Sequence, residues 1–186
     1  MTRLPLYTIG HSTRMWQEFV DLLREHQIRV LVDIRRFPGS RRYPHFNQGE
    51  MRAKLKEQQT SYVHLEALGG RREPIKDSKN IGWRNRAFRG YADHMASIEF
   101  KGGIDQLLEL SQGSRAAIMC AEAVPWQCHR MLVSDYLAAL CKLDVYHIIS
   151  GKKGSRLQRH NMTGFAKVAG NDLEYLASDS TDSKEK

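Results

Sequence analysis

The chain has 186 residues, of which 41% are hydrophobic and 27% charged, a balance that predicts one globular domain with a real core. No apolar run approaches the roughly 18 residues of a membrane span, and the N terminus lacks the long apolar segment of a secretory signal, so we expect a cytoplasmic protein without membrane contacts. The formal net charge of +8 favours an anionic partner, such as DNA, RNA or a nucleotide, although such a charge also serves solubility alone.

Apolar runs and helical periodicities alternate along the chain. An apolar run at residues 4–10 predicts a first strand, and Ser12 or Thr13 is placed to cap the helix that follows. Further strands are predicted at 29–35, 61–65, 115–120 and 144–149, and further helices at 48–59, 91–100, 103–111 and 129–140. This alternation is typical of a three-layer α/β fold, in which a mostly parallel sheet of about five strands carries helices on both faces.

The composition changes near the C terminus. From about Gly170 onward the sequence is polar and offers too little apolar surface to order itself. We therefore predict a single α/β domain at residues 1–168 and a disordered polar tail at residues 169–186. The oligomeric state is left open.

Two long loops, after the second and third predicted strands, are rich in arginine and aromatic residues. In a parallel sheet such loops lie at the carboxyl edge, where ligands bind. Guanidinium groups bind phosphate through paired hydrogen bonds, and aromatic rings stack on bases. The residues predicted to bind substrate phosphate are Arg35, Arg41, Arg42, Arg71, Arg72, Arg89 and Arg130, together with Trp126, Cys128 and His129. Ion pairs with neighbouring carboxylates are the alternative role for many of these arginines.

Four residues at the ends of predicted strands are candidates for catalysis: His11, Asp33, Cys120 and Glu122. Cys120 lies between a strand and a helix, where the helix dipole and nearby arginines favour a nucleophilic thiolate. Free cysteines more often complete a strand as small buried residues. Glu122 is a candidate general acid or base, and its alternative role is an ion pair with Arg130 or Arg35.

The three cysteines are expected to be reduced thiols, because a chain of this length does not need disulfides to hold its core. Cys120, Cys128 and His129 form a candidate set of metal ligands, with His11 or Glu122 as a fourth. Their C-x7-C-H spacing matches none of the common zinc patterns, in which about two to four residues separate a ligand pair. We therefore predict neither a metal nor another cofactor.

Six ordered blocks between residues 4 and 149 form a signature. They are T-I-G-H-S-T (8–13), V-D-I-R with F-P-G-S-R-R (32–42), F-N (46–47), H-L-E-A-L-G-G-R-R (64–72), F-R-G-Y-A-D-H-M (88–95) and M-C-A-E-A-V-P-W-Q-C-H-R (119–130). Together they resemble the bacterial and archaeal domain-of-unknown-function family 488 (DUF488). The resemblance implies a fold and a map of the site, without a reaction.

A weaker resemblance is to rhodanese-type domains. It rests on the order of V-D-I-R, Cys120 and V-Y-H along the chain. Rhodanese and cysteine-phosphatase loops return from the cysteine to an arginine within a few residues, whereas Arg130 lies ten positions after Cys120. Sulfur transfer is therefore not the main interpretation.

These features favour an enzyme, either a hydrolase or a transferase, that acts on nucleic acid or on a phosphorylated nucleotide-like substrate in an arginine-lined crevice. The first alternative is a nucleic-acid-binding module without catalysis, in which the cysteine loop only holds its own conformation through buried hydrogen bonds. The second is thiol-dependent transfer of sulfur or phosphate, of the rhodanese type.

Overall fold

The computed structural model describes residues 4–151 and 154–177, and its main element is a six-stranded sheet. The strands are β1 (Leu6–Gly10), β2 (Val30–Asp33), β3 (Ser61–His64), β4 (Ala116–Cys120), β5 (Val145–Gly151) and β6 (Gly154–Arg159). They lie in the order β3-β2-β4-β1-β5-β6. Strands β1 to β5 are mutually parallel and β6 pairs antiparallel with β5, which confirms the predicted parallel sheet of about five strands.

Helices cover both faces of this sheet. They are α1 (Trp16–Glu25), α2 (Gln48–Glu57), α3 (Arg86–His94), α4 (Ile98–Leu110) and α5 (Arg130–Ala139). Met119 of β4 belongs to an apolar core shared with α1 and α2, whereas its neighbour Ile118 belongs to the core shared with α3, α4 and α5. Successive strand residues point to opposite faces, so two cores form and the three-layer α/β fold is confirmed.

Local hydrogen bonds set several helix boundaries that differ from the predicted ones. Asn85 and Ser97 cap α3 and α4 by accepting hydrogen bonds from backbone amides of the first turn, so both helices begin five residues earlier than predicted. Ser12, predicted with Thr13 to cap α1, instead adopts a left-handed backbone with φ of 50°, and α1 begins only after Met15. Within the described ranges, no helix has the length and apolar character needed to cross a membrane.

The segment after β6 contains a second, smaller sheet. Its two antiparallel strands are β7 (Ala166–Ala169) and β8 (Asp172–Tyr175). Leu173 and Tyr175 are buried, and the Tyr175 hydroxyl donates a hydrogen bond to Asp135 of α5 at 2.9 Å. The prediction of a disordered tail from residue 169 is therefore wrong for residues 172–175, because two buried side chains and the Tyr175 hydrogen bond attach this strand to the domain. Residues 178–186 of that predicted tail lie outside the described residues.

Candidate active site

The carboxyl ends of β1, β2 and β4 open onto a cavity of about 550 Å³. These strands are parallel neighbours in the sheet, so their polar ends meet at one edge. Seven of the fourteen predicted site residues line the cavity: His11, Arg35, Arg71, Cys120, Glu122, Cys128 and His129. The loops after β1, β2, β3 and β4 thus contribute to a single concave surface.

Two thiols and an imidazole form a compact group in this cavity, which we call the thiol–imidazole cluster (Cys120, Cys128 and His129). Cys120 ends β4, Cys128 follows a short 3₁₀ helix at Pro125–Gln127, and His129 immediately precedes α5. The Nδ1 atom of His129 lies 3.9 Å from the sulfur of Cys120 and 3.7 Å from that of Cys128. The 3₁₀ helix at Pro125–Gln127 shortens the path between Cys120 and Cys128, which are eight positions apart in the chain.

The two thiols perturb one another. The interaction with Cys128, together with burial, raises the pKa of the Cys120 thiol. Burial opposes ionisation of Cys128 as well, but the hydrogen bond from Cys120 and the proximity of His129 and Arg130 lower the pKa of the Cys128 thiol well below its ordinary value. These shifts favour ionisation of the Cys128 thiol over ionisation of Cys120, the predicted nucleophile.

Arg130 holds the loop after β4 in place. This side chain is only 1% exposed and does not line the cavity, although the sequence predicts it to bind phosphate. It donates hydrogen bonds to the hydroxyl of Thr8 at 3.2 Å and to the backbone carbonyl of Glu122 at 2.6 Å. The same carbonyl packs directly against Gly10, where any Cβ atom would collide with it. Arg130 therefore holds the loop through a backbone carbonyl and does not line the cavity. The contact with a substrate predicted for Arg130 remains a prediction.

The wall of the cavity at β2 is a closed hydrogen-bonded group. Asp33 is fully buried and lies outside the lining, where it accepts hydrogen bonds from the guanidinium of Arg35 at 2.6 Å and from the hydroxyl of Tyr62 at 2.6 Å. Arg35 also donates to Nε2 of His11 at 3.3 Å, while Nδ1 of His11 donates to the carbonyl of Ser12 at 2.9 Å. Burial, followed by the charge of Arg35, lowers the pKa of His11 to about 4, so this imidazole is neutral at pH 7.

The rim of the cavity carries two arginines close to an exposed aromatic ring. The guanidinium carbons of Arg36 and Arg71, the rim arginines, lie 5.7 Å and 5.9 Å from the centroid of the Phe37 ring. Phe37 is 62% exposed, and Arg71 has a left-handed backbone with φ of 58°, an uncommon conformation for a non-glycine residue. Across the described ranges, neither rim arginine forms an ion pair with a carboxylate, in contrast to Arg72 and Arg86.

The comparison with protein families identifies the chain. A family model described as "Domain of unknown function DUF488" matches residues 15–137. The chain belongs to the DUF488 family. No curated protein and no solved structure matches the sequence. The DUF488 match includes the rim arginines and the thiol–imidazole cluster but begins after His11, and its description assigns no activity.

The remaining predicted residues of this DUF488 chain lie outside the cavity lining. Arg72 pairs with Glu99 at 3.1 Å, Arg89 donates to the carbonyl of Trp83, Arg42 lies over the ring of Tyr43, and Arg41 and Trp126 are exposed. Their predicted role in substrate binding therefore has no support from the lining of the cavity, and it stays a prediction.

Several further residues line the DUF488 cavity. Arg36 and Phe37 belong to the basic and aromatic loop that the sequence predicts to bind substrate, next to the predicted Arg35. Gly70 and Tyr91 lie in two of the signature blocks, but nothing in their local pattern indicates contact with His129. Gly70, in the loop after β3, and Tyr91, in α3, both lie against the imidazole of His129, and the Tyr91 ring is 4.9 Å from it.

Proposed function

We propose that this DUF488 chain is an enzyme, a hydrolase or a transferase, that acts on a small phosphorylated nucleotide-like substrate bound in the cavity. The observation that carries the proposal is the placement of the rim arginines beside the exposed ring of Phe37, in the same cavity as the thiol–imidazole cluster. The same cavity thus presents groups suited to bind an anion and an aromatic ring together with reactive groups.

The rim arginines supply the phosphate-binding part of this proposal. Arg36 donates one hydrogen bond to the backbone carbonyl of Arg71 at 2.8 Å, which fixes its guanidinium next to the second arginine. Since neither is paired with a carboxylate in the described residues, their positive charges are available to an anion. Guanidinium groups bind phosphate with paired, charge-assisted hydrogen bonds, so two adjacent ones favour a phosphorylated ligand over a neutral one.

Phe37 supports binding of a base. An apolar ring that is mostly exposed and flanked by guanidinium groups is suited to stacking, and base stacking on such a ring contributes about 1–3 kcal/mol. The cavity volume of about 550 Å³ falls within the roughly 300–1,000 Å³ of small-molecule sites, which favours a nucleotide over a nucleic-acid duplex.

The reactive groups of the cavity lie at and after the carboxyl end of β4. Cys120, Cys128 and His129 face the cavity there, and Glu122 lies in the lining two residues further on. Glu122 is solvent-exposed and forms no ion pair within the described residues, so its carboxylate is available for proton transfer. Both nitrogens of His11 already have partners, so we assign His11 to holding Arg35 rather than to proton transfer. The high pKa of the Cys120 thiol argues against rhodanese-type transfer at this residue.

Binding of nucleotides tests the first half of the proposal. We expect a nucleoside monophosphate to bind at low salt more tightly than the matching nucleoside, with an affinity that falls as salt rises. Arg36→Gln and Arg71→Gln should each weaken binding by about 10- to 100-fold, since a hydrogen bond to a charged group contributes about 1.5–3 kcal/mol. Isothermal titration calorimetry measures both effects. Arg24→Gln is the matched control, because Arg24 is exposed, is paired with Asp21 in the last turns of α1 and does not line the cavity.

Measurements of turnover test the second part of the proposal, which is that the protein is an enzyme. A mixture of phosphorylated nucleotides is incubated with the protein and the products are separated by chromatography. We expect Glu122→Gln to lower turnover by about 100-fold or more while leaving nucleotide affinity within a factor of about three. Absence of nucleotide binding at low salt would end the proposal. Tight binding of single-stranded oligonucleotides without turnover of any nucleotide would instead support the non-catalytic binding module.

A further inference from the structure

The donor atoms of the thiol–imidazole cluster have the arrangement of a metal site. The two sulfurs and Nδ1 of His129 all lie within 4.8 Å of one another, and they face the cavity. We propose that this cluster binds Zn²⁺ through the thiolates of Cys120 and Cys128 and through Nδ1 of His129, with a fourth coordination position open to the cavity. The ligand class follows from the donors, since two thiolates and an imidazole are soft to borderline ligands that favour zinc over magnesium or calcium.

The distances agree with tetrahedral zinc. With Zn–S bonds of about 2.3 Å and a Zn–N bond of about 2.0–2.1 Å, tetrahedral angles place sulfur and nitrogen about 3.6 Å apart and the two sulfurs about 3.8 Å apart. The observed S···N separations are 3.9 Å and 3.7 Å, and the two sulfurs also lie within 4.8 Å of each other. The three donor atoms therefore lie close to the separations that a tetrahedral zinc ion requires.

The tautomer of His129 also suits a metal ligand. Its Nε2 atom lies 2.9 Å from the backbone carbonyl of Ile34, which can only accept a hydrogen bond, so Nε2 carries the proton. Nδ1 is then left with a lone pair directed at both sulfurs. Metal-binding histidines usually donate their other ring N–H to a carbonyl or carboxylate in this way, which fixes the ring and its tautomer.

Gly70 keeps the space beside the ligand nitrogen open. A Cβ atom at this position would lie 2.8 Å from Nδ1 of His129, so any other residue would crowd the atom that is to bind the metal. The backbone at Gly70 can therefore lie directly against the imidazole, because no side chain occupies the point of contact.

The number of protein ligands indicates an open site rather than a closed one. Within the described part of the chain, no further His, Cys, Asp or Glu joins the three ligands. Structural zinc sites have four protein ligands, whereas sites that take part in reactions have three and leave one position for water or substrate. The cluster lines the cavity, so this fourth position faces the space in which a ligand would bind.

Charge balance favours the same ion. Cys120 and Cys128 are 8% and 2% exposed, and loss of both thiol protons would place two like charges side by side in a buried corner. A divalent cation between them makes the group neutral. The C-x7-C-H spacing, from which we predicted no metal, does not report this arrangement, because the 3₁₀ helix at Pro125–Gln127 shortens the path between the cysteines. The metal site does not rest on the substrate proposed above, since metal binding is measured without substrate.

The experiment uses the full chain, reduced and stripped of metal with a chelator. Zn²⁺ is then titrated in competition with a chromophoric chelator, and bound metal is counted by mass spectrometry. We expect one Zn²⁺ per chain for the unmodified protein. Cys120→Ser, Cys128→Ser and His129→Gln should each weaken binding by more than about 100-fold, beyond the 10- to 100-fold loss typical for outer-shell partners. Cys141→Ser, a cysteine outside the cluster, should bind Zn²⁺ like the unmodified protein.

A second measurement on the unmodified protein guards against variants that fail to fold. Co²⁺ in place of Zn²⁺ should produce the thiolate-to-cobalt charge-transfer bands and the intense visible bands of tetrahedral cobalt, and added Zn²⁺ should remove them.

Gly70→Ala should weaken Zn²⁺ binding while Gly102→Ala, where a Cβ meets no atom within 4 Å, should not. The proposal is overturned if the reduced protein takes up no stoichiometric Zn²⁺, if cobalt shows no thiolate bands, or if folded cluster variants keep full affinity.

Discussion

A single buried carboxylate organises one wall of the cavity. Asp33 accepts hydrogen bonds from Arg35 and from Tyr62, and Arg35 in turn donates to His11. The charge of Arg35 and the ring of His11 are therefore held in one orientation by a residue that does not reach the cavity. We infer that Asp33 is a positioning residue that acts through Arg35, in place of the catalytic role predicted from its position at the end of a strand.

The Asp33–Arg35 pair gives a test of this role. Asp33→Asn leaves the Arg35 guanidinium buried without a counter-charge, so we expect the free energy of unfolding to fall by about 3–5 kcal/mol. Denaturant unfolding followed by circular dichroism measures this loss. Asp21→Asn is the control, since its ion pair with Arg24 is exposed and such pairs contribute under about 1 kcal/mol. Equal stability of the two variants would show that Asp33 has no such role.

At the scale of elements, the sequence predicts those strands and helices whose side chains pack on the sheet. β1, β2 and β4 lie close to their predicted positions because their apolar runs are buried on both faces. β6 escapes prediction because Gly154–Arg159 is mostly exposed at the sheet edge and is positioned by backbone hydrogen bonds to β5, which leave no hydrophobic pattern. Ordered local structure of this kind cannot be predicted from periodicity alone.

The residues of the candidate site likewise divide into those that the sequence predicts and those that it does not. Cys120 and Glu122 can be predicted because they follow a buried strand, and the fold needs only parallel neighbours to bring them to the cavity. The buried orientation of the Asp33 and Arg130 side chains cannot be predicted in this way. Their hydrogen-bond partners, Tyr62 and Thr8, come from distant segments of the chain. Whether a charged residue faces a ligand or a buried partner depends on such contacts, which residue type and spacing do not specify.

Attachment of the small sheet to the domain depends on one aspartate of α5. Asp135 accepts hydrogen bonds from the amide and hydroxyl of Thr163, from His160 and from the hydroxyl of Tyr175 at 2.9 Å. Burial, followed by the charge of Asp135, raises the pKa of the Tyr175 hydroxyl, so this group remains a donor at all ordinary pH values. β7 and β8 are thus held by a buried carboxylate as well as by apolar contacts.

Removal of the Tyr175 hydroxyl tests this attachment. We expect Tyr175→Phe to lower the free energy of unfolding by about 1.5–3 kcal/mol, because the hydroxyl donates to a charged acceptor in a buried site. Hydrogen exchange should speed up in β8 more than in β4. Tyr146→Phe serves for comparison, since the Tyr146 hydroxyl makes no hydrogen bond within the described residues and its loss should change stability by less than about 0.5 kcal/mol. An unchanged exchange rate in β8 would contradict the attachment.

At the scale of the whole molecule, a chain of buried hydrogen bonds joins the site to the C-terminal segment. Asp135 accepts a hydrogen bond from Nε2 of His160 at 2.9 Å. Nδ1 of His160 is hydrogen-bonded to His147 at 3.0 Å, His147 is hydrogen-bonded to the hydroxyl of Thr8 at 2.8 Å, and Arg130 donates to Thr8 at 3.2 Å. Arg130 and Asp135 are thereby linked through two buried imidazoles across β1, β5 and α5.

This network predicts how stability depends on pH. Burial, followed by the proximity of His160 and Arg130, lowers the pKa of His147 from 6.5 to about 3. Below about pH 6.5 the unfolded chain binds a proton at His147 that the native state does not bind, so the free energy of unfolding falls by up to about 1.4 kcal/mol per pH unit until about pH 3. Above about pH 6.5 neither state binds that proton, and the contribution of His147 is constant.

The pH prediction is checked by urea unfolding at several pH values between about 7 and 4. His147→Gln should be less stable than the unmodified protein at about pH 7, because it breaks the hydrogen bonds to Thr8 and His160. Its free energy of unfolding should then fall less steeply with decreasing pH, by up to about 1.4 kcal/mol per unit, because the titrating group is gone. Thr8→Val also breaks the network but keeps the buried imidazole, so it should retain the steep slope. If His147→Gln and Thr8→Val show the same slope, the acid sensitivity arises elsewhere in the molecule and the neutral state assigned to His147 is wrong.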